Sequence, residues 1–247
     1  MTLAATARAN LRSAARALGI HVQRVRSSDD ARSLTNRLIA LTKPTTVIDV
    51  GANVGQFASG VLADVNGMRV ISFEPEERAQ AEALRRSRRY PNWIVGGRVA
   101  VAAEEGRLTL HVAGNSQSSS LLEMAELHEI AAPESKYLAV ESVRCRTLDS
   151  LLAGEADRGY RYYLKIDTQG YEMNVLRGAQ RTLEKVVAIQ CEVSFDELYV
   201  GQPLAAEVVD FVTARGFSVF AYANGLRDPR DQRLLQADIY FVRTREQ

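Results

Sequence analysis

The chain has 247 residues, 46% of them hydrophobic and 25% charged, with a formal net charge of +1. That size suits one α/β domain with an N-terminal extension, and the near-zero charge gives no global pull toward nucleic acid or an anionic membrane. Cys145 and Cys191 lie far apart in apolar runs and form neither a metal-ligand spacing nor a disulfide framework, which fits a reduced, cytoplasmic compartment; no apolar run approaches the ~20 residues of a membrane span.

The first 28 residues carry Arg8, Arg12, Arg16, Arg24 and Arg26 and no acid. On a helix, Arg8, Arg12 and Arg16 line one face and Leu11, Ala15 and Leu18 another. We expect a helical extension over residues 1–44 that caps the domain. A weakly membrane-surface or partner-binding helix and an organelle transit peptide share this composition. After the breaker Pro44, Val47 to Val50 reads as a buried strand and Gln56 to Val65 as a helix. Arg69 to Phe73 is a second strand, Glu76 to Arg89 a charged helix, and Trp93 to Ala102 a third strand region interrupted by Gly96 and Gly97. Leu108 to Val112 alternates like an exposed strand, Asn115 to Ser120 is a serine-rich loop, and Val140 to Arg146 alternates again. Strands at Tyr162–Ile166 and Val186–Val193 flank one amphipathic helix over Tyr171 to Leu183. Leu204 to Ala214 is helical, and Phe217–Tyr222 and Ile239–Val242 are two final strands with no helix between them. This alternation predicts a doubly wound, mostly parallel sheet over residues 45–247.

In such a sheet, ligands bind at the carboxyl ends of strands near the switch in strand order. Asp49, Gly51, Asn53 and Gly55 stand at the first strand end. Small residues there let backbone approach a ligand, and Asp49 can meet an ammonium, whereas a phosphate would disfavour an acid. Glu74 ends the second strand 23 residues after Gly51 and can accept from both hydroxyls of a ribose. The dinucleotide spacing G-x-G-x-x-G is absent. The pair of features points to a nucleoside with an amino-acid tail. An NAD(P)-dependent oxidoreductase and a non-catalytic nucleoside-binding protein are the competing readings.

VIDVGANVGQF at Val47, SFEP at Ser72, SSSLL at Ser118, TLDSLL at Thr147, LKIDTQGYE at Leu164 with VLRGA at Val175, and QCEVSFDELY at Gln190 together resemble the FkbM family of methyltransferases, over most of the chain from Val47 to Val242. The resemblance implies a class I methyltransferase fold: a Rossmann-like, seven-stranded sheet with an antiparallel last strand and an insertion before the fourth core strand. It implies S-adenosylmethionine as donor and O-methylation of a sugar hydroxyl on a glycan, glycolipid or natural product. By position, Gly51, Asn53 and Gly55 would hold the methionine end, Glu74 the ribose, and Ala100 would lie against adenine. Ala102 and Ala103 depart from the Gly/Ser-Asp that often follows in similar sequences.

Methyl transfer to a hydroxyl needs alignment and a base. Asp167 and Glu192, one after each of the two later strands, are the candidate catalytic carboxylates, with Asp167 the expected base. Asp167 also reads as a helix N-terminal carboxylate. If the two are close, one pKa is raised; a shared divalent cation is a further alternative, though no metal site is expected. Gln169, Glu172, Ser119 and Tyr199 are candidate acceptor contacts. Glu172 equally suits a cap, Tyr199 the core, and Lys165 a partner for a carboxylate. Ser118 to Ser120 read as a lid or a surface loop. His111 reads as structural and His128 as an alternative base. No nucleophile elbow, Walker loop or basic-aromatic patch is present, so neither hydrolysis nor nucleic-acid binding is expected. The oligomeric state stays open.

Overall fold

The computed structural model describes residues 30–155 and 159–244; the arginine-rich segment of the first 28 residues lies outside them. Short runs of β-branched and aromatic residues form the central strands: β1 (Thr46–Val50), β2 (Arg69–Phe73), β7 (Tyr162–Ile166) and β8 (Val186–Ser194). Almost every residue of these strands is buried, as expected of parallel strands covered on both faces. With β3 (Trp93–Val95), β9 (Phe217–Asn224) and β10 (Gln236–Arg243) they make a seven-stranded sheet of order β3-β2-β1-β7-β8-β10-β9. β10 runs antiparallel to both neighbours and inserts between β8 and β9. This is the class I methyltransferase order, with the switch between β1 and β7.

The third strand region divides. β3 stays in the main sheet, whereas β4 (Ala100–Val101) joins β6 (Tyr137–Arg146) and β5 (Gly106–Ala113) in a separate three-stranded sheet. Ala100 therefore belongs to the insertion layer and not to the end of the third core strand. The single helix expected over Tyr171–Leu183 is two, Glu172–Arg177 and Gln180–Lys185. The break falls at Gly178, where a Cβ would lie 2.0 Å from the Ala102 carbonyl oxygen. Close backbone approach at that point overrides the helical periodicity.

Strand alternation sorts the core into two. Ile48, Val50, Leu164, Ile166 and Cys191 pack on one face with the helices that follow β7 and β8. Val47, Val70, Tyr163 and Tyr240 pack on the other with Leu34, Leu38, Val61 and Trp93. Leu34 and Leu38 come from the helix Ala31–Thr42, started by Asp30, whose side chain accepts from Ser33 N, and ended by Lys43 at φ +47. The described part of the N-terminal extension is thus a wall of the domain. Both cysteines are free and buried. No helix among the described residues is long and apolar enough to cross a membrane.

Candidate active site

The turn after β1 alternates left-handed residues: φ is +74 at Gly51, +48 at Asn53 and +82 at Gly55. A Cβ on Gly51 would lie 1.7 Å from the Asp167 carbonyl oxygen, so glycine here lets the ends of β1 and β7 close together. A Cβ on Gly55 would lie 2.3 Å from the Trp93 ring. The turn's amides are bonded inward. Gly51 N and Ala52 N donate to Phe73 O, Gly55 N to Ala52 O, and Asn53 N to Glu74 Oε2 at 2.7 Å. Glu74 Oε1 accepts from Glu76 N at 2.9 Å. Burial pushes the Glu74 carboxyl up to about 7 despite these two bonds.

A cleft with an empty volume of about 770 Å³, part of it open to solvent, runs from this turn to the ends of β7 and β8. At one end Phe73, Pro75, Val99, Ala100, Val101 and Leu110 make an apolar wall beside Glu74. At the other stand Asp167, Gln169 and Glu192. Ser116, Ser119 and Ser120 close the side. Ser116 Oγ donates to Asn53 Oδ1 at 3.0 Å, Ala113 N to Ser119 Oγ at 3.1 Å, and Ser120 Oγ to Gln169 O at 2.6 Å. The serine-rich loop is therefore tied down as a fixed wall, not a free surface loop.

The two carboxylates share a donor. Gln169 Nε2 donates to Asp167 Oδ1 at 2.9 Å and to Glu192 Oε2 at 2.5 Å. Gln236 Nε2 donates to Glu192 Oε2 at 2.9 Å. Lys165 Nζ lies 3.4 Å from Asp167 Oδ2, 3.4 Å from Asp49 Oδ1, and donates to Gly51 O at 2.9 Å. Burial alone would lower the lysine pKa; Asp167 and Asp49 instead hold it above its ordinary value. Burial, then the charges of Asp167, Asp238 and Glu172, push Glu192 well above the usual carboxylate range. Among the described residues no group of three or more His, Cys, Asp or Glu could hold a metal ion.

A family model, the methyltransferase FkbM domain, matches residues 49–219, well over half of the chain. The chain belongs to the FkbM methyltransferase family. It is 31% identical over 182 residues to the 2-O-methyltransferase NoeI of Sinorhizobium fredii, covering 67% of this chain and 71% of that one. Among solved structures, an FkbM methyltransferase from Methylobacillus flagellatus aligns at a TM-score of 0.45 and 15% identity, over 79% of this chain. This chain spans 43% of that protein's length. A magnesium protoporphyrin IX methyltransferase from Synechocystis, with bound SAM, aligns at 0.43 and 13% identity, over 86% of this chain and 77% of that one.

In this FkbM methyltransferase the residues singled out from sequence divide by side. Gly51, Asn53, Glu74, Ala100, Ser119, Asp167, Gln169 and Glu192 line the cleft. Asp49 does not. It is fully buried behind the turn, accepts from Ser72 Oγ at 3.1 Å, and has Lys165 as its cation, so it is not free to meet a ligand's ammonium. Gly55 also stands off the cleft, against Trp93. Glu172 Oε1 accepts from Thr168 N and Gly170 N at 2.9 and 3.1 Å, amides of the turn before its own helix; it braces that turn, makes no helix-cap bond and stands off the cleft. Tyr199 is core. It is fully buried, and its hydroxyl donates to Gln169 Oε1 at 2.7 Å. His128 packs its ring 4.9 Å from that of Tyr199 and is off the cleft, so it does not serve as the alternative base; His111 stacks on Tyr137 at 5.0 Å. Sequence reasoning passed over Gln56 and Ser116 in the cleft and Gln236 behind it. Gln236 reaches Glu192 only because β10 pairs with β8, which local patterns do not reveal.

Proposed function

We propose that this protein transfers a methyl group from S-adenosylmethionine to a hydroxyl of a sugar or sugar-bearing natural product. The observation that carries the donor is charge. The cleft is lined by Glu74, Asp167 and Glu192 and, among the described residues, by no Lys, Arg or His; Lys165 stands behind it, beside Asp167. Such a site favours a cationic ligand and repels a dinucleotide diphosphate. The inward-bonded amides of the glycine turn support the same choice, because four of them have internal acceptors and are not presented to phosphate. The apolar wall at Ala100 suits a purine, and each oxygen of Glu74 keeps acceptor capacity for a ribose hydroxyl.

When bound, S-adenosylmethionine supplies an electrophilic methyl whose bond to sulfur breaks with the electron pair remaining on sulfur. Asp167 takes the proton of the acceptor hydroxyl as the oxygen–methyl bond forms, and later releases it to water. Lys165 lies beside that carboxylate as its ion-pair partner, while Glu192, half-buried and hydrogen-bonded through Gln169, is held well above the usual carboxylate range and keeps its proton more readily. The hydroxyl acceptor draws support from the 2-O-methyltransferase relative. The two free, buried cysteines and this donor support a cytoplasmic placement. Calorimetric titration with S-adenosylhomocysteine and with NAD tests the reading. Binding of the first and not the second is expected; binding of NAD alone would overturn it.

A further inference from the structure

Asp167 has two sides. Beyond it, away from the apolar wall, a second cavity of about 840 Å³, part of it open to solvent, lies between the helices Ala31–Thr42 and Gln56–Asp64 and the ends of β7, β8 and β10. The two hollows share Gln56 and Asp167. In-line displacement requires the attacking oxygen to arrive opposite the leaving sulfur. A molecule in the second cavity reaches Asp167 from the side that the nucleoside features do not use.

The lining of this cavity has a definite chemistry. Gln190 is spent: its Oε1 accepts from Thr35 Oγ1 and Tyr163 OH, each at 3.0 Å, and its Nε2 donates to Asp238 Oδ2 at 3.3 Å. Among the described residues, the two cations that line the cavity are also spent, Arg32 on Asp64 and Lys165 on Asp49 and Asp167. No ion pair joins Asp238 to a cation among the described residues. The carboxylate is left to accept from whatever enters, with the Phe57 ring alongside. Gly60 gives independent support. It sits inside the helix Gln56–Asp64, where glycine costs about 1 kcal/mol relative to alanine. No atom lies within 4 Å of where its Cβ would be, so packing does not demand a glycine. Its bare backbone keeps that wall of the cavity open.

We propose that this second cavity is the acceptor site, and that Asp238 selects a polyhydroxylated ring that is uncharged or carries an ammonium, against anionic sugars. This rests on the donor reading above. The ring's hydroxyls or ammonium donate to Asp238, its apolar face meets Phe57, and the reacting hydroxyl reaches Asp167. Phosphorylated or carboxylated sugars meet two carboxylates with no unpaired cation among the described lining residues to offset them.

The test uses full-length protein saturated with S-adenosylhomocysteine and three probes: methyl glucoside, glucosamine and glucose 6-phosphate. Saturation-transfer NMR is expected to detect the first two and not the third. Gly60→Phe fills the cavity without a clash at Cβ. It should abolish both signals while leaving the melting temperature no lower and S-adenosylhomocysteine affinity within threefold. Asp238→Asn should weaken glucosamine roughly tenfold relative to methyl glucoside, the loss of one charge-assisted bond. Sugar binding that survives Gly60→Phe, preferred binding of the phosphate, no binding of any sugar, or a weakened nucleoside in Gly60→Phe would each overturn the assignment. Failure of wild-type protein to bind S-adenosylhomocysteine would instead remove the donor reading, and is seen before any sugar is added.

Discussion

Glu74→Gln tests the donor site most directly, because its effects on stability and on binding have different pH signatures. In the wild type the buried carboxyl is raised from 4.5 to about 7. The folded state therefore holds this proton more tightly than the unfolded chain. The site's contribution to stability is fully present below pH 4.5 and is lost as pH rises through 7. At ~1.4 kcal/mol per unit the loss is roughly 3 kcal/mol. Glutamine has no charge to bury, so the slope disappears. It also leaves either Asn53 N or Glu76 N facing an amide NH₂, at about 1–3 kcal/mol. In urea melts the variant should be less stable than wild type by about 1–3 kcal/mol at pH 5 and close to it at pH 8. Nucleoside binding runs the other way. Ribose hydroxyls donate best to the ionised carboxylate, so wild-type affinity for S-adenosylhomocysteine should tighten from pH 6 to pH 8. The variant should bind roughly ten- to a hundredfold more weakly at pH 8, with little pH dependence. Equal affinities with equal pH profiles would refute a ribose contact at Glu74 and the donor placement built on it.

Asp167→Asn should cut methyl transfer by about 10²–10⁴-fold. Calorimetry should show S-adenosylhomocysteine binding changed by only a fewfold, and an unimpaired rate would exclude Asp167 as the base. Gly51→Ala adds a left-handed strain of about 1–2 kcal/mol and a clash with the Asp167 carbonyl. Chemical denaturation should register a loss of at least ~2 kcal/mol, whereas Gly60→Ala should gain about 0.5–1 kcal/mol; equal midpoints for the pair would contradict the packing described. Tyr199→Phe removes the donor to Gln169 Oε1 and should cost about 1–2 kcal/mol. It should also move the pH profile of methyl transfer, because Gln169 links the two carboxylates. A lower melting temperature with an unchanged profile would make Tyr199 a packing residue alone.

The sheet was legible because its strands carry local signatures. VIDVG, RVISF and YYLKI are short, apolar and followed by helices, and the helix-free finish marks the antiparallel end. The insertion was harder to read. Trp93 to Ala102 reads as one strand region interrupted by Gly96 and Gly97, yet its two ends pair with different sheets, a choice made by partners distant in the chain. The Tyr171–Leu183 periodicity was genuine but yields to the Gly178–Ala102 approach, which only tertiary structure supplies.

The site residues divide by strand parity, and parity decides chemistry. Asp49 and Lys165 are register partners across β1 and β7; Lys165 pairs with Gln190, and Asp238 with Glu192. All point to the face that carries Tyr163 and Tyr240. An acid in a glycine-rich turn therefore looks ligand-facing from composition, while its register hands it to Lys165. That exchange has a functional consequence. With Asp49 holding one side of Lys165, the lysine can stay charged in a buried position and still pair with Asp167. Removing Asp49 would leave the buried ammonium with Asp167 as its remaining ion-pair partner among the described residues. The motif's acid is thus a buried partner that positions Lys165, not a carboxylate presented to the cleft.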